Sequence, residues 1–111
     1  MDHYHIWVNL ADSHADLEFA RAVAGWLGHL RERGLIEGWR LSRRKLGFGP
    51  AELGEFHLEI ETRDLAQLEN AFQLAAARAG EGERLHAEVY SRVADFRAAL
   101  YRDFPDAVRR E

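Results

Sequence analysis

Apolar and polar residues alternate strictly over residues 3–10, with Tyr4, Ile6, Val8 and Leu10 on one side and His3, His5, Trp7 and Asn9 on the other. That period belongs to a half-buried strand. The period then changes. Leu17, Ala20, Ala24 and Leu27, flanked by Phe19, Val23, Trp26 and Leu30, form a broad stripe at helical spacing. Ser13 and Asp16 have the spacing of a capping box, with Asp in place of Glu or Gln, and Gly34 suits the left-handed residue after a helix ending near Arg33. Residues 35–45 read as a second strand, with Trp39 and Leu41 facing one way and Arg40, Ser42 and Arg44 the other. A glycine-rich connector over 46–54 leads to a third strand, in which Phe56, Leu58 and Ile60 alternate with His57, Glu59 and Glu61. Asp64 opens a second helix with Gln67 three positions on, and Leu65, Leu68, Phe72, Ala75, Ala76 and Ala79 form its apolar stripe before Gly80. Leu85, Ala87 and Val89 then alternate with His86, Glu88 and Tyr90, which predicts a fourth strand. Val93, Phe96, Leu100 and Phe104 recur at helical spacing before Pro105 and predict a final helix.

The predicted order, β-α-β-β-α-β with an extra C-terminal helix, is the split β-α-β or ferredoxin-like arrangement of the α+β class. It implies a four-stranded antiparallel sheet with the fourth strand beside the first, then the third and the second. At 111 residues the chain is expected to form one domain over 1–111. The two main helices should cover the face bearing Tyr4, Ile6, Val8, Phe56, Leu58, Ile60, Leu85, Ala87 and Val89. The opposite face then gathers His3, His5, Trp7, Asn9, His57, Glu59, Glu61, His86, Glu88 and Tyr90, with Arg40, Ser42 and Arg44 at its far edge. A face left to solvent would account for its polar residues, but Trp7 and Tyr90 ask for cover. A second copy pressed face to face would supply it.

Composition removes several functions. Hydrophobic residues are 47% and charged residues 31% of the chain, the balance of a globular protein. A formal charge of −4 gives no general attraction for nucleic acid or anionic membrane. Without cysteine there is no disulfide, thiolate nucleophile or Cys-based zinc site. The first residues carry no basic stretch before an apolar run and no window is long enough to span a bilayer, so a cytoplasmic location is expected.

Three predicted strands present an H-x-[H/E] pattern to one face: His3-x-His5, His57-x-Glu59 and His86-x-Glu88. Residues two apart on a strand are about 6.6 Å apart and adjacent strands about 4.8 Å, so these groups can meet. Two chemistries follow. His5, His57, His86, Glu59 and Glu88 could ligate a divalent metal. The favoured reading uses no cofactor: His57 and His5 move a proton, Glu59 tunes them, and Tyr90 donates to an oxyanion. Arg40 and Arg44, with Trp7, His86 and Glu88, would then hold a small acidic or enol-like ligand. The competing class is a non-catalytic homodimer whose polar face sets pairing specificity alone. Serine-hydrolase and phosphate-loop chemistry lack their motifs.

In element order and pattern the chain resembles the dimeric α+β barrel superfamily, in which ferredoxin-like subunits join their open sheet faces around a pocket. That superfamily includes metal-free monooxygenases, lactone isomerases, haem enzymes and stress-induced proteins, so the resemblance implies architecture and a homodimer without selecting a reaction. The run from Trp39 through Arg40, Ser42, Arg43, Arg44, Lys45 and Gly47, with Leu53 through His57, is similar to a family of uncharacterised bacterial proteins.

Overall fold

The computed structural model describes residues 1–77 and 79–105. Its elements are β1 (Asp2–Leu10), α1 (Asp16–Glu32), β2 (Gly38–Arg43), β3 (Phe56–Thr62), α2 (Leu65–Ala76), α3 (Gly80–Tyr90) and β4 (Val93–Arg102). All pairings are antiparallel, in the order β2-β3-β1-β4. The sheet class and strand order match the expectation. The chain segment that supplies the fourth strand does not.

Residues 80–90 form a helix and residues 93–102 a strand, the reverse of the sequence reading. Leu85, Ala87 and Val89 mimic a strand because they lie two apart. Yet Leu85 and Val89 are also one helical turn apart, as are His86 and Tyr90, and the helical frame wins because this face can pack. Leu85 and Val89 lie against the core, while the buried Gly82 meets Leu74 of α2. In β4 the three-residue interval from Val93 to Phe96 looked helical because it contains a bulge. Trp7 pairs with Arg97 and Asn9 with Ala94, so one more residue sits on β4 than on β1 between those pairs. Asp95, within the bulge, takes the left-handed conformation at φ 58° and accepts a 3.0 Å hydrogen bond from Asn9 Nδ2. There is accordingly no extra C-terminal helix over 93–104.

The core lies between the sheet and the helices. Phe19, Val23, Trp26, Leu27 and Leu30 of α1 pack with Val8, Phe56, Leu58 and Ile60, as the alternation of β1 and β3 requires. The α1 stripe is centred one position off the expected one, and Leu17 is exposed. The Ser13 capping box does not form. Ala15 occupies the cap position without a side-chain bond, and Asp16 instead accepts from Leu17 N–H and from Arg43 on β2. For α2 the expected signal holds: Asp64 Oδ1 accepts from Gln67 N–H at 2.8 Å, and Gln67 Oε1 accepts from Arg63 N–H. Gly54 is fixed by close approach, since a side chain there would overlap the Val8 backbone.

No helix among the described residues is long and apolar enough to cross a membrane. Among the described residues, the three helices leave the other face of the sheet open.

Candidate functional site on the open sheet face

Alternation sends His3, His5 and Trp7 of β1 outward, and the β1–β3 register sets them directly opposite Glu61, Glu59 and His57. On β2, Arg40 lies opposite Glu59 and Ser42 opposite His57. On β4, Tyr101, Ala99 and Arg97 lie opposite His3, His5 and Trp7. The face is therefore ordered in rows across the strands. The central row runs Arg40, Glu59, His5, Ala99.

Within this lattice His5 Nδ1 and His57 Nε2 are 2.8 Å apart. Their rings are inclined by only 12°, with centres 5.1 Å apart. That separation is about the largest a 2.8 Å nitrogen contact permits, so the two nitrogens lie on the line joining the ring centres. The lone pair of one imidazole thus faces the N–H of the other, and a single proton occupies the contact. The Trp7 indole lies parallel to His57, 3° off and 4.8 Å between centres, and within 5.7 Å of His5. Tyr101 meets His5 edge-on at 5.2 Å.

Glu59 Oε2 accepts from Arg40 Nε at 2.9 Å and Nη2 at 2.8 Å, leaving Oε1 3.7 Å from His5 Nδ1. Partial burial alone would raise the Glu59 pKa. The hydrogen bond and charge of Arg40, with the two histidines, outweigh it and hold the carboxyl below its usual range. Burial pushes His57 down from its ordinary 6.5; Glu59 opposes this, while His5 and Arg40 reinforce it. Burial thus favours the neutral form of His57. His3 contacts Asp103 Oδ1 at 2.6 Å and forms a separate pair at the edge. Together His3, His5, Trp7, Arg40, His57, Glu59, Glu61 and Tyr101 line a shallow depression of about 450 Å³.

Among the described residues, His5, His57 and Glu59 form one group able to hold a metal, with donor atoms within 4.8 Å of one another. Tetrahedral zinc with bonds near 2.0–2.1 Å needs donors about 3.3 Å apart and converging on one point. Here the two nitrogens are closer than that and aim at each other, so the rings would have to turn before an ion could enter.

His86, Glu88 and Tyr90 do not join this face, because they lie on α3, behind the sheet. His86 stacks on Trp26 at 4.8 Å, Tyr90 O–H donates to Glu83 Oε1, and Glu88 pairs with Arg92. His86 and Glu88 are thus removed from the expected metal and ligand-binding sets, and Tyr90 from the catalytic one. Arg44 is also diverted. Its Nη2 donates to the Pro50 and Leu53 carbonyls at 2.9 and 2.7 Å, fastening the 46–54 connector. Tyr101, Arg97 and Ala99 reach the face instead. Their alternation with Ala98 and Leu100 was the available signal, and the bulge at Asp95 obscured it.

A family of unknown function matches the whole of residues 1–111. Among curated proteins nothing matches the chain. The fold is similar to a solved structure described as a dimeric ferredoxin-like protein of unknown function from Jannaschia sp. CCS1 (TM-score 0.66, 13% identity), covering 93% of this chain and 100% of that one. It is also similar to a dimeric protein of unknown function and ferredoxin-like fold from Bacteroides fragilis NCTC 9343 (TM-score 0.60, 8% identity), covering 90% and 93% of the two chains. At these identities the likeness shows the ferredoxin-like fold.

Proposed function

The chain belongs to that family, DUF6614, whose function is unknown, and we propose that it forms a homodimer across the open sheet face and binds a small acidic or enol-like molecule there for proton transfer. The observation that carries this reading is the in-line 2.8 Å contact between His5 and His57. Two imidazoles sharing one proton keep one further lone pair and one further N–H on their outer nitrogens. The pair can accept a proton from a ligand at one ring and return one from the other. Charge gained by the pair would lie beside Glu59, whose Oε1 is 3.7 Å from His5 Nδ1. Arg40 holds Glu59 ionised and presents a guanidinium at the rim, three-quarters exposed, where a carboxylate or enolate can approach. Trp7 and Tyr101 supply flat apolar walls. A cytoplasmic bacterial setting is part of the same proposal.

Dimerisation matters to the chemistry because a proton relay left open to bulk water gains little from its arrangement. Both similar solved structures are described as dimeric, which supports the homodimer. A second subunit would deepen the depression and exclude water from the histidines.

The test is a calorimetric and thermal-shift screen of small carboxylates, phenols and quinones against wild type and His57→Gln. Gln is close in length and polar, so the variant should keep its fold. Ligands that raise the wild-type melting temperature should have little effect on the variant, and any turnover should fall by about 10²–10⁴-fold, the usual worth of a positioned acid-base group. Equal shifts in both proteins would remove His57 from the site. A stoichiometric divalent ion retained by wild type and lost in His57→Gln would replace the proton-sharing reading with metal ligation.

A further inference from the structure

The open-face depression does not end at His57. Ser42, His57 and Trp7 form the row next to the central one, and just beyond them β2 and β3 give way to the 46–54 connector. A cavity of about 230 Å³ lies between that row and the connector, with Trp7, Ser42, Phe48, Pro50, Leu53 and His57 in its lining. Trp7 and His57 are also walls of the depression that holds His5, Glu59 and Arg40, so the two spaces meet at the same pair of rings.

The connector is a fixed wall. Arg44 Nη2 donates to the Pro50 and Leu53 carbonyls, and Gly49 lies so close to that guanidinium that a side chain there would overlap it. Two turns tighten the loop: Phe48 N–H donates to the Lys45 carbonyl at 3.1 Å and Leu53 N–H to the Pro50 carbonyl at 3.2 Å. Leu46 and Gly47 take the left-handed backbone, at φ 55° and 72°, and Phe48 is left 83% exposed at the rim. Both arginines of the lining are committed, Arg44 to those carbonyls and Arg43 to Glu55 and Asp16. A second anion would therefore find little attraction here, with the Glu55 carboxylate close by. What the cavity offers is flat faces, those of Trp7, Phe48 and Pro50, which suit an aromatic group.

We propose that the open-face ligand is an acid carrying an aryl arm, with its acidic head at Arg40 and its ring in the connector cavity against Trp7 and Phe48. The proposal rests on the proton-transfer reading of the open face and adds to it the class of ligand and Phe48 as a specificity-determining residue. Size agrees. An apolar cavity of roughly 150 Å³ suffices for benzene, so about 230 Å³ takes a phenyl ring. Successive rows are about 6.6 Å apart along the strands, a step that two or three methylenes between carboxyl and ring can span. Such a ligand passes His5 and His57 on its way, which places the linker carbons beside the shared proton.

The test titrates butanoate and 4-phenylbutanoate into the full chain by calorimetry and NMR. The aryl acid should bind wild type about tenfold more tightly or better, the scale expected for burying one ring against aromatic walls. Phe48→Ser, an exposed loop substitution, should remove most of that gain and leave butanoate unchanged, and Phe48→Trp should restore it. In wild type the ligand's ring protons should show NOEs to the Phe48 ring, a measurement that decides the matter if Phe48→Ser does not fold. Equal affinities for the two acids, a gain intact in Phe48→Ser, or absent NOEs would each overturn the proposal. So would a Phe48→Ser protein that is monomeric where wild type is dimeric, since Phe48 would then belong to the subunit contact. Butanoate binding that depends on His57 without a gain from the ring would overturn this inference alone, whereas failure of both acids to bind wild type would sink it together with the acid-binding reading of the open face.

Discussion

Burial of His57 and His86 gives the protein a distinct response to acid. Burial lowers the pKa of His57 and also that of His86, so the folded state resists protonation while the unfolded chain takes protons up near the ordinary 6.5. Between those values the unfolded state holds more protons, and stability must fall as the pH drops below about 6.5, flattening once the folded groups have titrated. Glu59 has the opposite arrangement: its lowered pKa contributes stability above the usual carboxylate range, lost as the pH falls through its folded value, below 4.5. Urea midpoints measured from pH 7.5 down to 3 should therefore decline in two stages. His57→Gln should shrink the first stage, and a midpoint constant from pH 7.5 to 5 would contradict the burial of both imidazoles. A steric prediction belongs to the same scale. Gly54→Ala places a Cβ against the Val8 backbone, which cannot move without disturbing both β1 neighbours. It should cost about 1–3 kcal/mol in a chemical melt, whereas Gly47→Asn, at an exposed positive-φ turn with open space around it, should be close to neutral.

At the scale of elements, the bulge in β4 fixes what faces outward. Asp95 takes a left-handed backbone that β-branched residues tolerate poorly, and its side chain is tied to Asn9. Asp95→Asn should keep the bulge, because Asn accepts both the conformation and a hydrogen bond. Asp95→Val should lose it. Without that extra residue the rest of β4 would shift by one position relative to β1, turning Tyr101, Ala99 and Arg97 away from the histidines. Amide exchange and cross-strand NOEs between β1 and β4 would report the change; native NOEs in Asp95→Val would show that the bulge does not depend on Asp95. The same feature explains how far the sequence could be read. Strict alternation in β1 and β3 places His3, His5, Trp7, His57, Glu59 and Glu61 correctly, because each strand is buried on one side alone. Residues 80–102 mislead because Leu85 and Val89 fit both periods, and because an extra residue near Asp95 gives a strand an apolar interval of three. The pattern therefore hides the placement of Tyr101 on the open face and puts Tyr90 there in its stead. The fate of Arg44 was hidden for a different reason: the carbonyls of Pro50 and Leu53 that capture it come together only once the connector folds.

The molecule is flat, with principal extents of 50, 38 and 18 Å, and among the described residues one sheet carries helices on one side. Antiparallel sheets tolerate one wetted face, but this one carries Trp7 and Tyr101 beside half-buried imidazoles. Strand β4 adds an edge on which Phe96 and Leu100, on the helix side, are about half exposed. Exposed aromatic groups on the open face are a liability in a monomer, and a second copy pressed on that face would cover Trp7 and Tyr101. A two-fold pairing of identical faces is self-complementary, so each Arg40 and Glu59 pair would recur across the axis and the two histidine pairs would share one enclosed space. Ala99 tests this from a position that takes no part of its own in the proposed relay. It lies opposite His5 on the open face, is small and only half buried, and makes no polar interaction of its own. Ala99→Glu should leave the subunit folded, since β4 is an edge strand, while placing like charges near the centre of the paired faces. Sedimentation equilibrium at micromolar concentration should give a dimer for wild type and a monomer for Ala99→Glu. The variant should also lose ligand binding at the histidines while its circular dichroism stays native. A monomeric wild type would sink the enclosed site and the proton-transfer reading that depends on it, and a dimeric Ala99→Glu of unchanged affinity would place the subunit contact elsewhere.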